Sequence, residues 1–291
     1  MISPGVHILV MASACTIGAK KLSSRMYLFK NRDMVYEDFK NTAVFTDRMF
    51  AVTGIDISEG VEQGVSIGVN SSGLAGCSSS VLINEGAAYD ILLEEILKDA
   101  STIAEAEEIV KKALDAAEEY QWCNFVLASI HEVGVIELSS DDYHVERDES
   151  YIVRTNHHLK LSTANVVLNA SNEEREACGP LASSQHRRQV ASKMVESATA
   201  FQDFLSLVST HSTSRGFDSI CRHKNAIVSS EALLGETSYS YIIEMTLLGD
   251  PMPEIVFHVA RGNPCSNPFK QVPVDFSSDS DTRSKIAETF P

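Results

Sequence analysis

The sequence has few basic residues for its number of acidic ones, no long apolar run and no basic residue near its amino terminus. It carries 24 Lys and Arg residues against 40 Asp and Glu residues, which gives a formal net charge of −16. An acidic chain repels phosphate backbones, so nucleic acid is not an expected partner. No apolar run approaches the roughly 20 residues that a membrane-spanning helix needs. Because residues 1–14 also contain no Lys or Arg, the sequence predicts neither a signal peptide nor a membrane span, and a cytoplasmic location is expected.

Closely spaced cysteines are absent as well. The six cysteines are scattered and none forms a C-x-x-C pair; they are Cys15, Cys77, Cys123, Cys178, Cys221 and Cys265. This spacing predicts neither a zinc site nor a dense disulfide framework. His157 and His158 are adjacent, but no third ligand stands at a useful spacing from them. We therefore predict no metal and no cofactor.

Apolar periodicity predicts groups of strands that alternate with groups of helices. The predicted strands are 65–70, 74–81, 124–130, 133–138, 143–147, 151–155, 226–229, 238–248 and 254–260, and the predicted helices are 89–98, 102–119 and 184–208. This order predicts an α+β protein in which two sheets pack together and helices cover them outside. No domain boundary is evident, so residues 15–270 are predicted to form one domain. Residues 271–291 are rich in Ser and Asp and are predicted to be a loose tail.

The stretch from Ala14 to Asp33 carries the first candidate chemistry. Cys15 follows small residues, and Asp33 stands 18 residues later, after an apolar run. A hairpin with its turn near residues 20–24 brings the thiol and the carboxylate to one end of a sheet. This pattern is typical of a hydrolase that cleaves itself before its nucleophile, at Ala14–Cys15, and then uses the freed α-amine as a base. The alternative is that Cys15 is a small buried apolar residue.

Four segments carry a family resemblance, in order, over nearly the whole chain after residue 14. They are Cys15-Thr16 with Lys30-Asn31-Arg32-Asp33, then Gly68 to Leu74, then Arg154-Thr155-Asn156-His157, and last Ser219 to His223 with Gly262 to Cys265. Together they resemble the penicillin acylase and acyl-coenzyme A:isopenicillin N acyltransferase family. That family is a branch of the amino-terminal nucleophile hydrolases, related to the choloylglycine hydrolases.

The resemblance implies a four-layer αββα sandwich, two mostly antiparallel sheets flanked by helices, and it implies site roles. Cys15 resembles the nucleophile and Asp33 the carboxylate that holds its amine. Asn70 and Asn156 resemble residues beside the substrate carbonyl, where N–H donors would stabilise an oxyanion. Residues 1–14 resemble a pro-segment or leader; a buried strand before Cys15 is the other interpretation.

The resemblance leaves open which cation serves the site. Lys30 stands where the bile-salt branch has arginine. Arg187 and Arg188 lie in a segment that resembles an arginine-bearing helix start, and Arg222 and His157 are further candidates for binding substrate or stabilising charge. Residues 234–237 carry no arginine where the fungal acyltransferase has one. This departure puts a penicillin-type substrate in doubt.

The leading hypothesis is a self-processing amidohydrolase or N-acyltransferase that acts through a Cys15 acyl-enzyme. Its expected partner is a small acyl amide, or an acyl-coenzyme A thioester, and the sequence does not choose between water and an amine as acceptor. A catalytically impaired binding protein is the alternative, and a thiol-based redox protein is a third. The sequence also leaves open whether the chain forms a homo-oligomer.

Overall fold

The computed structural model describes residues 13–34, 41–56, 59–84, 86–163, 165, 180–213, 215–224, 235–249 and 252–291. The predicted strand 226–229, residues 1–12, Cys178 and the turn at 250–251 lie outside the described residues. Within those ranges, no helix is long and apolar enough to cross a bilayer.

The first sheet is built around the amino-terminal hairpin. Its described strands run in the order β10-β1-β2-β11-β12-β13, and each neighbouring pair is antiparallel. Their bounds are β1 Ser13–Leu22, β2 Arg25–Met34, β10 Tyr151–Arg154, β11 Glu236–Thr246, β12 Glu254–Arg261 and β13 Lys270–Val274. The predicted hairpin is present, and its turn lies at Ser23, whose φ is 55°. Strand β2 lies between β1 and β11 and is therefore central to the sheet.

The second sheet is an antiparallel meander. Its described strands follow chain order from β3 to β9, each neighbouring pair is antiparallel, and two helices connect the sixth strand of the chain to the seventh. Their bounds are β3 Ala43–Phe45, β4 Met49–Thr53, β5 Val65–Asn70, β6 Ala75–Leu82, β7 Trp122–Ala128, β8 Val133–Leu138 and β9 Tyr143–Asp148. The five strands from β4 to β8 have buried residues on both faces, because one face packs on the first sheet and the other on helices. The edge strands are less buried: Val44 of β3 is half-buried, and β9 is half-buried to exposed.

Helices cover the outer face of each sheet. The described helices are α1 Tyr89–Asp99, α2 Ile103–Asp115, α3 Pro180–Ser197, α4 Phe201–Val208 and α5 Ser280–Glu288. Helices α1 and α2 pack on the second sheet, and α3 and α4 pack on the first. A third cluster of buried side chains fills the space between the sheets. The layers are thus helix, sheet, sheet and helix, which confirms the predicted αββα sandwich.

Two helix boundaries differ from the predictions for local reasons. The predicted helix 102–119 ends at Asp115, because Ala117 has a φ of 59° and such a left-handed residue terminates a helix. The predicted helix 184–208 is two helices. The Asp203 carboxylate accepts the backbone N–H groups of Thr199 and Ala200 at 2.7 and 3.0 Å, which caps a new start for α4.

The carboxyl-terminal segment is ordered, which corrects the expectation of a loose tail at 271–291. It contains β13 and α5, and α5 packs beside β3. The ring of Phe290 lies 5.8 Å from that of Phe50 and 6.0 Å from that of Phe257, measured between centroids. Because the Ser and Asp residues surround a few apolar side chains that reach the core, average composition alone missed this contact.

Candidate active site

The backbone of Cys15 is held by side chains rather than by the sheet alone. The pairing of β1 with β10 begins at Ile17, so Cys15 extends past β10. There its N–H donates to Asn156 Oδ1 at 3.0 Å, and its carbonyl accepts from Arg187 Nη1 at 2.8 Å. The side chain of Cys15 is 2% exposed and belongs to the cluster between the sheets. The Ala14–Cys15 peptide bond therefore lies within β1, directly before a residue whose two backbone polar groups are fixed.

Asn156 is the centre of this arrangement. It follows β10, and its Oδ1 accepts from Arg187 Nη2 at 2.8 Å in addition to the Cys15 N–H. Its Nδ2 donates to the carbonyl of Ser80 at 2.8 Å, which ties it to the second sheet. Its own N–H donates to Ser184 Oγ at 2.8 Å, on α3. Three layers of the sandwich thus fix one amide side chain against Cys15.

Among the cations expected from the resemblance, Arg187 is hydrogen-bonded to Cys15. It is 1% exposed on α3 and also donates to Thr16 Oγ1 at 3.2 Å. Burial and the nearby Arg222 lower the pKa of Arg187 to about 10, so it stays charged near neutral pH. Arg188 lies near Arg154 and Glu146 instead. Burial and then Arg154 lower the pKa of Arg188, and Glu146 opposes that shift.

Asp33 lies beside Ala14 and on the other face of the sheet from the Cys15 side chain. The antiparallel register pairs Asp33 with Ala14 and Cys15 with Arg32, and successive side chains on a strand point to opposite faces. Asp33 Oδ1 accepts from Thr237 Oγ1 at 2.6 Å, and Oδ2 lies 3.6 Å from Arg222 Nε. Within the described residues, Oδ2 is buried and makes no hydrogen bond. Burial raises the pKa of Asp33, and the positive charges of Arg222 and Arg187 oppose that effect.

Lys30 lies on the same face of β2 as Cys15 and reaches across to the second sheet. Its Nζ donates to Ser66 Oγ, to the Ser66 carbonyl at 3.0 Å and to Ser78 Oγ at 3.4 Å. Ser78 Oγ in turn donates to Asp90 Oδ1 at 2.6 Å. Burial lowers the pKa of Lys30, while the neighbouring Cys15 and Asp90 oppose that shift. Lys30 and Asp90 therefore form a buried pair, connected through Ser78, beside the thiol.

His157 contacts Ser184, the residue whose hydroxyl accepts the Asn156 N–H. Its Nδ1 lies 2.8 Å from Ser184 Oγ and 3.2 Å from Thr155 Oγ1. Burial, followed by Arg188 and Arg187, lowers the pKa of His157 to about 3. The ring is therefore neutral near pH 7 and holds the serine that accepts the Asn156 N–H.

Asn70 is not among the residues that the structure brings to Cys15. Its Oδ1 accepts the N–H groups of Ser72 and Leu74 at 3.1 and 2.9 Å, and its Nδ2 donates to the Ala100 carbonyl at 2.6 Å. These bonds stabilise the turn between β5 and β6. Ser80, which contacts Asn156, lies towards the other end of β6, five residues past Ala75, or about 17 Å along the strand. The contacts of the Asn70 side chain are thus those of a turn, and its expected role beside the substrate carbonyl stays a prediction.

Sequence reasoning missed several residues that shape the site. Ser80, Ser184 and Thr237 contact Asn156 or Asp33, and Asp90 completes the buried pair with Lys30. Serines and threonines of this kind have no sequence signal, because they are common at every turn and strand. Asp90 offered one signal, since it is a carboxylate on the buried face of a predicted helix.

The layered architecture is the αββα sandwich that the motif resemblance implied, with a candidate thiol on its first strand. The chain belongs to the acyl-coenzyme A:6-aminopenicillanic acid acyl-transferase family, whose sequence profile matches residues 20–232. The resemblance expected from the motifs is thereby confirmed. Cys15 lies just before the matched range.

Among solved structures, the penicillin V acylase from Agrobacterium tumefaciens is similar, with 11% sequence identity and a TM-score of 0.46. The match covers 89% of this chain and 97% of that chain. No curated protein matches the sequence.

Proposed function

We propose that the chain is an amidohydrolase or N-acyltransferase in which Cys15 is the nucleophile and becomes the first residue by self-cleavage. One observation carries the proposal: Asn156 and Arg187 hold the N–H and the carbonyl of Cys15 at 3.0 and 2.8 Å. A buried strand residue of purely structural importance needs only its ladder partners. Side chains from two other elements that converge on its backbone are typical of a residue positioned for chemistry.

Self-cleavage begins at the bond between Ala14 and Cys15. The Cys15 sulfur adds to the Ala14 carbonyl carbon, and the C–N bond of that peptide breaks. The thiol proton passes to the leaving nitrogen, which becomes the Cys15 α-amine. Water then cleaves the resulting thioester, releasing the Ala14 carboxyl group and restoring the thiol. The buried Arg187 stabilises negative charge that develops beside it in the first step.

Two oxygen atoms are candidates to accept hydrogen bonds from the freed α-amine of Cys15. Asn156 Oδ1 already accepts the N–H of residue 15, and Asp33 Oδ2 is a buried carboxylate oxygen that makes no hydrogen bond within the described residues. An α-amine has a pKa of roughly 7.7–8.0, so it can accept the thiol proton near neutral pH. We propose that Asn156 orients this amine and that Asp33 stabilises its protonated form by charge.

Turnover repeats the same chemistry on a substrate. The Cys15 sulfur attacks the carbonyl of a small acyl amide, and the amine leaves with the proton held by the α-amine. The acyl group then remains on the sulfur as a thioester. Water releases it in a hydrolase, whereas a second amine accepts it in a transferase; with an acyl-coenzyme A donor, the leaving group is a thiol. Lys30 and Arg187 are proposed to bind or stabilise the developing oxyanion.

The test compares the chain with its Cys15→Ala and Cys77→Ala variants. Cys77 is the matched control, because it is also a buried cysteine in the cluster between the sheets. Intact-mass measurement over time should show the wild type and Cys77→Ala beginning at residue 15, while Cys15→Ala stays uncut. Coumarin amides of varied acyl length should be hydrolysed only by the two processed proteins. Added hydroxylamine should yield the acyl hydroxamate if the acyl-enzyme is open to transfer.

Two outcomes contradict the proposal in different ways. If Cys15→Ala is still trimmed to residue 15, an external protease makes the cut and self-cleavage is rejected. If the wild type is processed but turns over no amide or thioester in the screen, the chain acts as a binding protein of the family.

A further inference from the structure

Four side chains of metal-binding residue types converge at a place near Asp33 that the function proposed for Cys15 does not use. His211 follows α4, Cys221 and His223 lie in the next segment, and Cys265 follows β12. The ligand atoms of these four residues all lie within 4.8 Å of one another. His211 Nε2 is 2.9 Å from His223 Nε2, and the latter is 3.3 Å from Cys265 Sγ and 3.8 Å from Cys221 Sγ.

These separations are close to those of a tetrahedral metal site. Zinc binds cysteine sulfur at about 2.3 Å and histidine nitrogen at about 2.0–2.1 Å in tetrahedral geometry. The edges of such a tetrahedron, from ligand atom to ligand atom, are therefore about 3.3–3.8 Å. The separations from His223 Nε2 to the two sulfur atoms, 3.3 and 3.8 Å, lie in this range, whereas the two imidazole nitrogens, 2.9 Å apart, would have to move slightly apart around an ion. Two sulfur and two nitrogen ligands are a set that favours zinc among divalent metals.

The backbone already holds the ligands in place. The Cys221 N–H donates to the Thr210 carbonyl at 2.8 Å, beside His211. Asn263 Nδ2 donates to the Arg222 carbonyl at 2.6 Å, which joins the loop of Cys265 to the Cys221–His223 segment. Gly262 begins that loop with a φ of 83°, a conformation that favours glycine. Little rearrangement is needed to close the site around an ion.

Of the four ligands, Cys221 is buried, His211 and His223 are half-buried and Cys265 is exposed. Cysteine ligates zinc as the thiolate, so metal binding releases the thiol protons of Cys221 and Cys265, and the affinity depends on pH.

We propose that His211, Cys221, His223 and Cys265 form a structural zinc site. Four protein ligands leave no open position for substrate or water, so the ion serves structure rather than catalysis. The cysteine spacing predicted no such site, because the ligands come from three segments that only the fold brings together. The proposal is independent of the function proposed for Cys15.

Arg222 lies between two of the proposed ligands, Cys221 and His223, so a bound metal would also restrict this arginine. Arg222 Nε lies 3.6 Å from Asp33 Oδ2, and its Nη2 donates to the Phe217 carbonyl at 2.8 Å. A metal that holds Cys221 and His223 restricts the backbone on both sides of this arginine. Loss of the metal is therefore expected to loosen the Arg222–Asp33 ion pair.

The test measures metal directly on the full-length chain. Protein is purified under a weak reductant, incubated with zinc chloride, dialysed and analysed for zinc by mass spectrometry. We expect one zinc per chain. Cobalt substitution should give the ligand-field bands of a tetrahedral ion and a thiolate-to-cobalt charge-transfer band. Zinc should also raise the melting temperature, since an ion that binds only the folded state stabilises it.

Variants assign the ligands. Cys265 is exposed, so Cys265→Ser is expected to fold. The double variant Cys265→Ser/His211→Ala should lose both the charge-transfer band and the bound zinc. His131→Ala, at an exposed histidine in the β7–β8 turn, is the matched control and should keep both. The proposal is overturned by a wild type without stoichiometric zinc, by a double variant that still binds zinc, or by a Cys221–Cys265 disulfide in the reduced preparation.

Discussion

Arg187 and Arg188 are adjacent in the sequence, yet the structure gives them different environments. Arg187 contacts the backbone carbonyl of Cys15 and the side chain of Asn156, whereas Arg188 lies near Arg154 and Glu146. A helix rotates by about 100° per residue, so neighbours face different directions. The pair therefore offers a matched experiment at the scale of one residue.

Arg187→Lys is expected to lower kcat on the order of 10²-fold with little change in KM, because one ammonium cannot reproduce both contacts of the guanidinium. Arg188→Lys should change kcat less than about threefold. Both variants are checked for folding by circular dichroism and for processing by intact mass. Equal effects of the two substitutions would show that Arg187 acts only through general charge.

His157 gives a prediction for stability against pH. The folded state lowers its pKa from 6.5 to about 3, so between these pH values the unfolded chain binds more protons and stability falls as the pH falls. Between pH 7 and pH 5 this residue should remove about 2 kcal/mol of the unfolding free energy. His157→Gln should therefore show a shallower decrease over that interval in urea unfolding. His131→Gln, at an exposed histidine, should follow the wild type. A His157→Gln profile parallel to the wild type would contradict the assignment of a neutral buried ring.

At the scale of elements, α5 and the residues after it close one end of the space between the sheets. Phe290 is only partly buried, but its ring contacts those of Phe50 and Phe257. The cluster between the sheets extends to Phe276, Ile286 and Ala287 in the same segment. The last segment of the chain therefore contributes side chains to the core between the sheets.

Phe290→Ala should lower the unfolding free energy by about 2 kcal/mol, because it removes partly buried aromatic contacts. Leu248→Ala is the control, since Leu248 is 71% exposed and its loss should cost less than about 0.5 kcal/mol. Chemical denaturation of both variants measures the difference. A tail that contributed nothing to the core would leave the two values equal.

At the scale of the whole molecule, Lys30 joins the two sheets beside the candidate nucleophile. It lies on β2 in the first sheet and donates to Ser66 and Ser78 in the second, where Ser78 contacts Asp90 of α1. A cation and an anion are thus buried together across the sandwich. Such a pair adds little stability over an apolar pair, but breaking it leaves one charge uncompensated.

Lys30→Met should lower the unfolding free energy by on the order of 3 kcal/mol, because Asp90 loses its cation. The double variant Lys30→Met/Asp90→Asn should recover most of that loss. If Lys30 serves the chemistry, the double variant stays impaired in kcat despite its recovered stability. Activity that returns together with stability would instead give Lys30 a purely structural role.

The sequence by itself determined the layers of the protein and its family. Periodicities of two and 3.6 residues are local, so they located strands β5 to β12, the two helices after β6 and the hairpin of β1 and β2, but not the short strands β3, β4 and β13. The four motif segments, taken together in their order and spacing, were enough for the family, which the profile match confirmed. The roles of individual site residues stay predictions, for which the structure gives positions.

Only the tertiary structure decided which polar residues meet. It brought Asn156 and Arg187 to Cys15 and Ser80 to Asn156 from distant segments, left Asn70 in a turn, and separated Arg187 from Arg188. It also assembled His211, Cys221, His223 and Cys265 and ordered the carboxyl-terminal segment. These encounters depend on strand register and on the packing of one layer on another. Both are set by contacts between residues far apart in the chain, which no local pattern records.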